Sequence, residues 1–214
     1  LKAFPQDTQI YFVLGKVYFE KKNYDSSLIC FNKTIEFDKN FQEVYFSRAL
    51  TYVAKHDFKS AILDFDKVLE LNKNDADAFY NRGLAKFDNN DISGAILDFK
   101  KVIELDKNFP GVYFNKAEAE VDSGQFLFAL DDYNKHLLQF SVDTEVYFIR
   151  AMLKQDLQDD ENAIQDFNKV LSLDNKFIEA YFGRGVSKCR LKKNIEGVND
   201  FTEALKLNTK RTEQ

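Results

Sequence analysis

Apolar and polar positions along this chain recur every 34 residues. Stepping by that interval from Ala61 gives Ala95, Ala129, Ala163 and Gly197, and Ser27 in the other direction; all are small. From Phe65 the same step gives Phe99, Tyr133, Phe167, Phe201 and Phe31, and from Tyr45 it gives Phe79, Tyr113, Tyr147, Tyr181 and Tyr11; both series are aromatic. From Ala49 it gives Gly83, Ala117, Ala151, Gly185 and Gly15, again all small. No insertion or deletion interrupts the series, so six units fit: 8–41, 42–75, 76–109, 110–143, 144–177 and 178–211. Self-similarity at such a period marks stacked supersecondary units.

Inside a unit the spacing is helical. Tyr45, Ala49 and Tyr52 lie at i, i+4, i+7, and Ala61, Ile62, Phe65, Val68 and Leu69 continue the same rule after the short polar break AKHD. Each set is one stripe of a helix with about 3.6 residues per turn. Asn23, Asp57, Asp91 and Asp159 stand where the second helix begins and predict N-caps. The tails DKN (38–40), NKN (72–74) and DKN (106–108) end the second helices, where lysine suits the helix dipole. Each unit is therefore helix A, tight turn, helix B, short loop. Gly or Ala on helix A opposite Ala, Gly or Ser on helix B lets the two backbones approach. One such unit is too small to bury its own core, and stacking supplies the missing cover. The domain expectation is a lead-in over 1–7, one repeat domain over 8–211 and a tail over 212–214.

A strict 34-residue period with these small and aromatic columns resembles the tetratricopeptide repeat (TPR) family over residues 8–211. The resemblance implies an all-α fold, a right-handed α-solenoid of six helix-turn-helix repeats with about twelve antiparallel helices, in which helix A lines a concave face. Two departures are local. The proline usual near the end of helix B is replaced by Lys39, Lys73, Lys107, Ser141, Asn175 and Thr209, and the bulky residue opening helix B becomes Asp160 and Asn194 in the last two units, where looser turns are expected.

A charge pattern tests the alignment independently of any family. Arg48, Arg82, Lys116, Arg150 and Arg184 form a column on helix A, and Asp64, Asp98, Asp132, Asp166 and Asp200 form one on helix B. In the first unit both change together, to Leu14 and Cys30. The co-change predicts that each base pairs with an Asp of its own or a neighbouring unit; independent solvated charges are the alternative.

Helix A carries a second stripe: Phe12, Phe46, Tyr80, Phe114, Phe148 and Phe182, flanked by Leu50, Leu84, Met152 and by Phe19, Val53 and Phe87. A helix apolar on two faces either packs against two neighbours or presents one face to a partner. Read as a groove, the stripe is wettest at Asn81 and Asn115, whose amides can donate to and accept from a peptide backbone. Acids rim it: Glu20, Asp88, Asp122 and Asp156 in one column, Glu43, Asp77, Glu145 and Glu179 in another. The candidate ligand-binding residues are Phe12, Phe46, Leu50, Tyr80, Asn81, Leu84, Phe87, Asp88, Phe114, Asn115, Asp122 and Phe148. They suit a protein or peptide with apolar anchors and basic residues, as an amphipathic helix or an extended strand. The resemblance also raises the carboxylate clamp with which some family members hold chaperone tails ending in EEVD. Its Lys position falls on Phe12 and its Asn position on Lys16, and the next two units offer Ser47, Asp77 and Asn81 where Asn, Lys and Arg are needed. EEVD-type tails are therefore not the expected partner.

Bulk composition narrows the remaining classes. The 214 residues are 44% hydrophobic and 30% charged, enough for a core and for solubility, and the net charge of −5 opposes a nucleic-acid partner. No apolar run approaches the roughly 18 residues of a membrane span. Cys30 and Cys189 lie far apart without a CxxC spacing, and His56 and His136, the only histidines, sit in non-adjacent units. No cofactor, metal site, nucleophile motif or phosphate loop is expected, and the chain reads as a non-enzymatic scaffold. Two alternatives stand beside it: a substrate-presenting arm of a larger enzyme, for which Asn81 and Asn115 make only a short Asn ladder, and a self-associating array. The latter rests on the last helix B, Gly197 to Leu207, whose apolar side with Val198 and Leu205 has no following unit in the sequence to cover it.

Overall fold

In the computed structural model, residues 5–212 are described, with side chains from 8 to 209. The described residues form twelve helices: α1 (Pro5–Glu20), α2 (Tyr24–Phe37), α3 (Gln42–Ala54), α4 (Phe58–Leu71), α5 (Ala76–Asp88), α6 (Ile92–Leu105), α7 (Val112–Asp122), α8 (Phe126–Gln139), α9 (Thr144–Asp156), α10 (Asp160–Leu173), α11 (Ile178–Arg190) and α12 (Asn194–Thr212). The architecture is an all-α helix-turn-helix repeat, and odd-numbered helices are the helices A of the sequence period. They group into two compact units, residues 1–123 and 124–214. In the first, α1–α2, α3–α4 and α5–α6 pair within repeats, and α2–α3, α4–α5 and α6–α7 join successive repeats. In the second, α9–α10 and α11–α12 pair within repeats, and α8–α9 and α10–α11 join them.

Both packings can be traced to columns. Phe31, Phe65 and Phe99 in the first unit, and Tyr133 and Phe167 in the second, are fully buried. A methyl group on Gly83 would stand 2.8 Å from the Phe99 ring, so the small column of helix A makes room for the aromatic column of helix B. It also permits backbone approach, because a methyl on Gly197 would lie 2.9 Å from the Gly185 carbonyl oxygen. On its other side helix B meets the next helix A: Val44 and Phe31 share one cluster, Val112 and Phe99 another, and Ala180 packs with Phe167, Val170 and Leu171.

The A–B turn has one geometry throughout. Lys22, His56, Asn90, Gly124, Gln158 and Lys192, again 34 apart, all adopt the left-handed conformation. In the second repeat Asp57 N–H donates to the Tyr52 carbonyl (2.9 Å) and His56 N–H to that of Val53 (2.8 Å), a Schellman closure whose last residue is also the cap of the next helix. Asn23, Asp57 and Asp91 cap as expected, accepting from the N–H groups of Ser26, Ser60 and Gly94. Asp159 does not: its carboxylate is taken by the Asn162 side-chain amide, 2.9 Å away. The fifth and sixth turns are not looser, since Gln158 and Lys192 keep the shared conformation, and Asp160 is buried with Arg190 3.6 Å from it. The tails of helix B act differently from the dipole expectation. Asp38, Asn72, Asp106 and Asp174 accept from backbone N–H groups two residues on, closing Asx turns.

The charged columns do pair. Arg48 grips Asp64 through two bonds (2.7 and 2.6 Å), and Arg82–Asp98, Arg150–Asp166 and Arg184–Asp200 repeat the bidentate geometry. Each guanidinium reaches a third group on the preceding helix B: Asn32, Asp66, Asn134 or Asn168. It also lies over the aromatic column, 5.7 Å from Tyr45 for Arg48 and 5.3 Å from Phe79 for Arg82. In the fourth repeat Lys116 pairs with Glu120 one turn on, and Asp132 with Lys135. Burial pushes the Asp64 carboxyl up, and Arg48 only partly offsets it. Burial acts the same way on Asp200, but Arg184 and Lys188 together outweigh it and hold that carboxyl below the usual range. Asp200 is less deeply buried than Asp64 and has a second base, Lys188 at 2.9 Å, where the second repeat has Tyr52.

Because Asp64 is buried, Arg48→Leu alone should cost about 3 kcal/mol by leaving a charge without its counter-ion. Arg48→Leu/Asp64→Cys, which copies Leu14 and Cys30, should recover most of that loss in urea unfolding; a double variant no better than the single one rejects the pairing argument. A carboxyl held low contributes stability above the unfolded value of about 4, lost as pH falls through the folded value. Lys188→Met should raise the Asp200 value and start acid unfolding at higher pH, as read by carbon-detected titration of Asp200; an unmoved titration refutes the role of the second base.

Candidate functional site

The second stripe of helix A emerges as a row of half-buried aromatics in each unit. In the first unit Phe12 lies 6.0 Å from the buried Phe31 ring and 4.8 Å from Phe41, Phe46 lies 5.5 Å from Phe65, and Tyr80 lies 5.9 Å from Phe99 and 4.8 Å from Phe109. Leu50 packs beside Phe46, Leu84 and Phe87 pack beside Tyr80, and Phe114 on α7 is also half-buried. In the second unit Phe148 lies 6.0 Å from Phe167 and 5.0 Å from Phe177. Phe12, Phe46, Tyr80 and Phe148 thus each have an inner edge against a buried ring and keep some solvent exposure. A small cleft of about 200 Å³ lined by Lys16, Phe19, Glu20, Phe31, Ser47 and Leu50 opens in the first unit.

The two asparagines differ in what they can offer. Asn115 Nδ2 donates to the Tyr80 hydroxyl (2.7 Å) and to the Gly111 carbonyl (3.1 Å), which uses both amide hydrogens. It fixes Tyr80, and the expectation of free donation from Asn115 to a peptide does not hold in this conformation. Gly111 is left-handed, and a methyl there would stand 3.2 Å from the Tyr80 hydroxyl, so the chain passes close at this point. Burial raises the Tyr80 phenol, with the Asn115 bond opposing it. Asn81 spends one amide hydrogen on the Asp77 carbonyl (2.8 Å). The acids Glu20, Glu43, Asp77, Asp88 and Asp122 of the first unit, and Glu145, Asp156 and Glu179 of the second, are all exposed.

The second unit also holds the largest apolar opening described, a groove of about 650 Å³ lined chiefly by Phe148, Met152, Ile178, Phe182, Phe201 and Leu205. Of these, only Phe148 belongs to the candidate set read from sequence. Phe182 continues the aromatic row but is 60% exposed, and Leu205 is 65% exposed. From sequence, Leu205 falls on the apolar side of the last helix B and Phe201 in the aromatic core column; their equivalents Leu171 and Phe167 are buried. The loop aromatics Phe41, Phe109 and Phe177 lie outside the candidate set. They alternate in the same column with Asp75 and Asp143, which cap α5 and α9 instead.

The histidines are structural. His136 is buried, with Nε2 2.9 Å from Asp143 and its ring 4.8 Å from Phe140, and His56 occupies a left-handed turn beside Phe58. Among the described residues, no group of three or more potential metal ligands converges, and no helix is long and apolar enough to cross a membrane.

Comparison with known proteins agrees with this geometry. Tetratricopeptide repeat family models match residues 46–111 in one case and residues 8–41 and 144–177 in another. No curated protein sequence matches the chain. Among solved structures, the C-terminal part of a TPR repeat-containing protein from Cytophaga hutchinsonii superposes with a TM-score of 0.81 at 18% identity, over 92% of this chain and 78% of that one. YrrB, described as a TPR protein with an unusual peptide-binding site, gives 0.73 at 21% identity over 83% and 91%. The first TPR of Spaghetti (RPAP3), bound to the HSP90 peptide SRMEEVD, gives 0.55 at 22% identity over 58% and 98%. Identities this low establish a shared fold.

Tyr80→Phe removes one of the two acceptors held by Asn115 and should cost about 1 kcal/mol in urea unfolding. An unchanged midpoint means that the Tyr80–Asn115 bond does not order the row.

Proposed function

We propose that this chain, which belongs to the tetratricopeptide repeat family, is a protein–protein interaction scaffold that holds an extended or helical segment of a partner against its helix A faces. In the first unit the contact residues are Phe12, Phe46, Leu50, Tyr80, Asn81, Leu84, Phe87 and Phe114, with Asp88 and Asp122 on the rim and Asn115 holding Tyr80 in place. In the second unit Phe148 takes the same part. The observation that carries the reading is the row of aromatics, with Phe12, Phe46, Tyr80 and Phe148 anchored in the core on one edge and exposed acids on the same helices. Rigid aromatic anchors with a charged border are what a partner with apolar side chains and basic flanks requires. The scaffold has no chemistry of its own.

YrrB has a peptide-binding site and the Spaghetti domain binds an acidic chaperone peptide, and both lend support to peptide recognition on this fold. The residues here favour the opposite charge. Phe12 and Lys16 replace the clamp's Lys and Asn, and Asp77 stands where a base is needed. An EEVD tail would bring its carboxylates toward Asp77 and Asp88.

Capture from lysate should be compared for the wild type and Phe46→Ala/Tyr80→Ala/Phe114→Ala, with circular dichroism as the folding control. The wild type should retain a partner that a folded triple variant loses. A partner segment identified this way should bind less tightly at high salt and at least about fivefold less tightly, roughly 1 kcal/mol, to Asp88→Lys. Insensitivity to both salt and Asp88→Lys overturns the basic-partner reading, as does tighter binding of a synthetic SRMEEVD peptide.

A further inference from the structure

The repeat period allows every surface residue of α1 and α12 to be compared with five equivalents. Ile10 is 61% exposed, yet Val44, Ala78, Val112, Val146 and Ala180, one to five periods on, are all buried. Val17 is 42% exposed, and its equivalents Thr51, Ala85, Ala119, Leu153 and Ser187 are buried. In helices A that follow another repeat, this face packs on the preceding helix B: Ala180 lies in one cluster with Phe167, Val170 and Leu171 of α10. The equivalents of those three residues on α12 are Phe201, Ala204 and Leu205, and they line the apolar groove of the second unit.

We propose that α1 of one copy of this chain docks into the α11–α12 groove of a second copy, head to tail, reproducing the joint between successive repeats. The two surfaces are the two halves of an interface that the fold already builds at α10–α11, so Ile10 and Val17 meet Phe201 and Leu205 as Ala180 meets Phe167 and Leu171. The charges are compatible as well. At four of the internal joints an arginine crosses to Asn32, Asp66, Asn134 or Asn168 on the preceding helix B. At the proposed joint the arginine position is Leu14 and the position facing it is Thr202, which is exposed. Cys30 replaces the aspartate that such an arginine would neutralise, so no charge is buried without a partner. With Leu14 facing Thr202, this position of the joint pairs an apolar with a neutral side chain.

A heterologous contact of this kind propagates, because each docked copy still presents a free half. Sedimentation velocity of the wild type over a rising concentration series should show mass growing beyond a dimer. Val17→Glu and Leu205→Glu change exposed side chains; circular dichroism checks their fold, and each alone should be monomeric. Mixed in equal amounts they should form a dimer and stop there, since one intact α1 face meets one intact groove. A wild type that stays monomeric at several hundred micromolar overturns the proposal. So does a Leu205→Glu variant that still dimerises alone, which would mean a symmetric contact, or a mixture of the two variants that remains monomeric.

Discussion

A helix pair has two apolar sides and covers only one of them by folding on itself. The rest of this structure follows from that constraint. Phe31, Phe65 and Phe99 fill the inside of the hairpin against the small column of helix A, and Val68 and Leu69 on the outside of α4 are buried with Ala78 of the next helix. Each repeat is therefore finished by its neighbour, and stability is a sum of repeat and joint terms. The same rule explains why Ile10 and Leu205 are exposed while every one of their column mates is half-buried or buried.

Electrostatics follow the same geometry. The arginines sit where two helices B flank one helix A, so each guanidinium has an aspartate on its own side, a polar side chain on the preceding helix and an aromatic ring beneath it. Buried ion pairs contribute little net stability because desolvation opposes them, but they penalise any register that leaves one charge alone. A one-repeat slip would leave the columns matched, whereas a slip of a residue or two within a hairpin would not. The pairs thus fix how α3 lies on α4 more than how tightly it does so. Helix α1 has no preceding helix B among the described residues, and it carries Leu14 in place of the base.

Features that recur as a residue type were legible in the sequence. The twelve helices, the small and aromatic columns and the Arg–Asp pairs all belong to that class, because packing and ionic pairing each select one side-chain chemistry. Features selected by backbone conformation or by several chemistries were not. The left-handed turn residue is Lys, His, Asn, Gly, Gln or Lys, and no property of those side chains announces it; the Schellman bonds impose it. The third partner of each arginine is Asn in three repeats and Asp in one, so no single-letter column marks it. Asp159 shows the opposite failure. It has the right type at the right place, but Asn162 competes for its carboxylate. At the candidate site the aromatic row was legible and its state was not, because period alone cannot distinguish a buried ring from one with a free edge.

That half-buried state bears on the proposed binding role. A fully exposed aromatic loses conformational freedom when it binds, whereas Phe12, Phe46 and Tyr80 are already held from behind by Phe31, Phe65 and Phe99. Binding then costs little ordering, which is the advantage of a preorganised surface. The row is also not uniform. Phe12 and Tyr80 are braced on a second side by Phe41 and Phe109, while the intervening repeat has Asp75 at that position, spent on capping α5 and on accepting from Gln42. Within the first unit the surface therefore alternates between braced aromatic sites and a polar one, with a spacing of two repeats. A partner segment that matched it would carry its apolar anchors at that wider interval, with polar side chains between them.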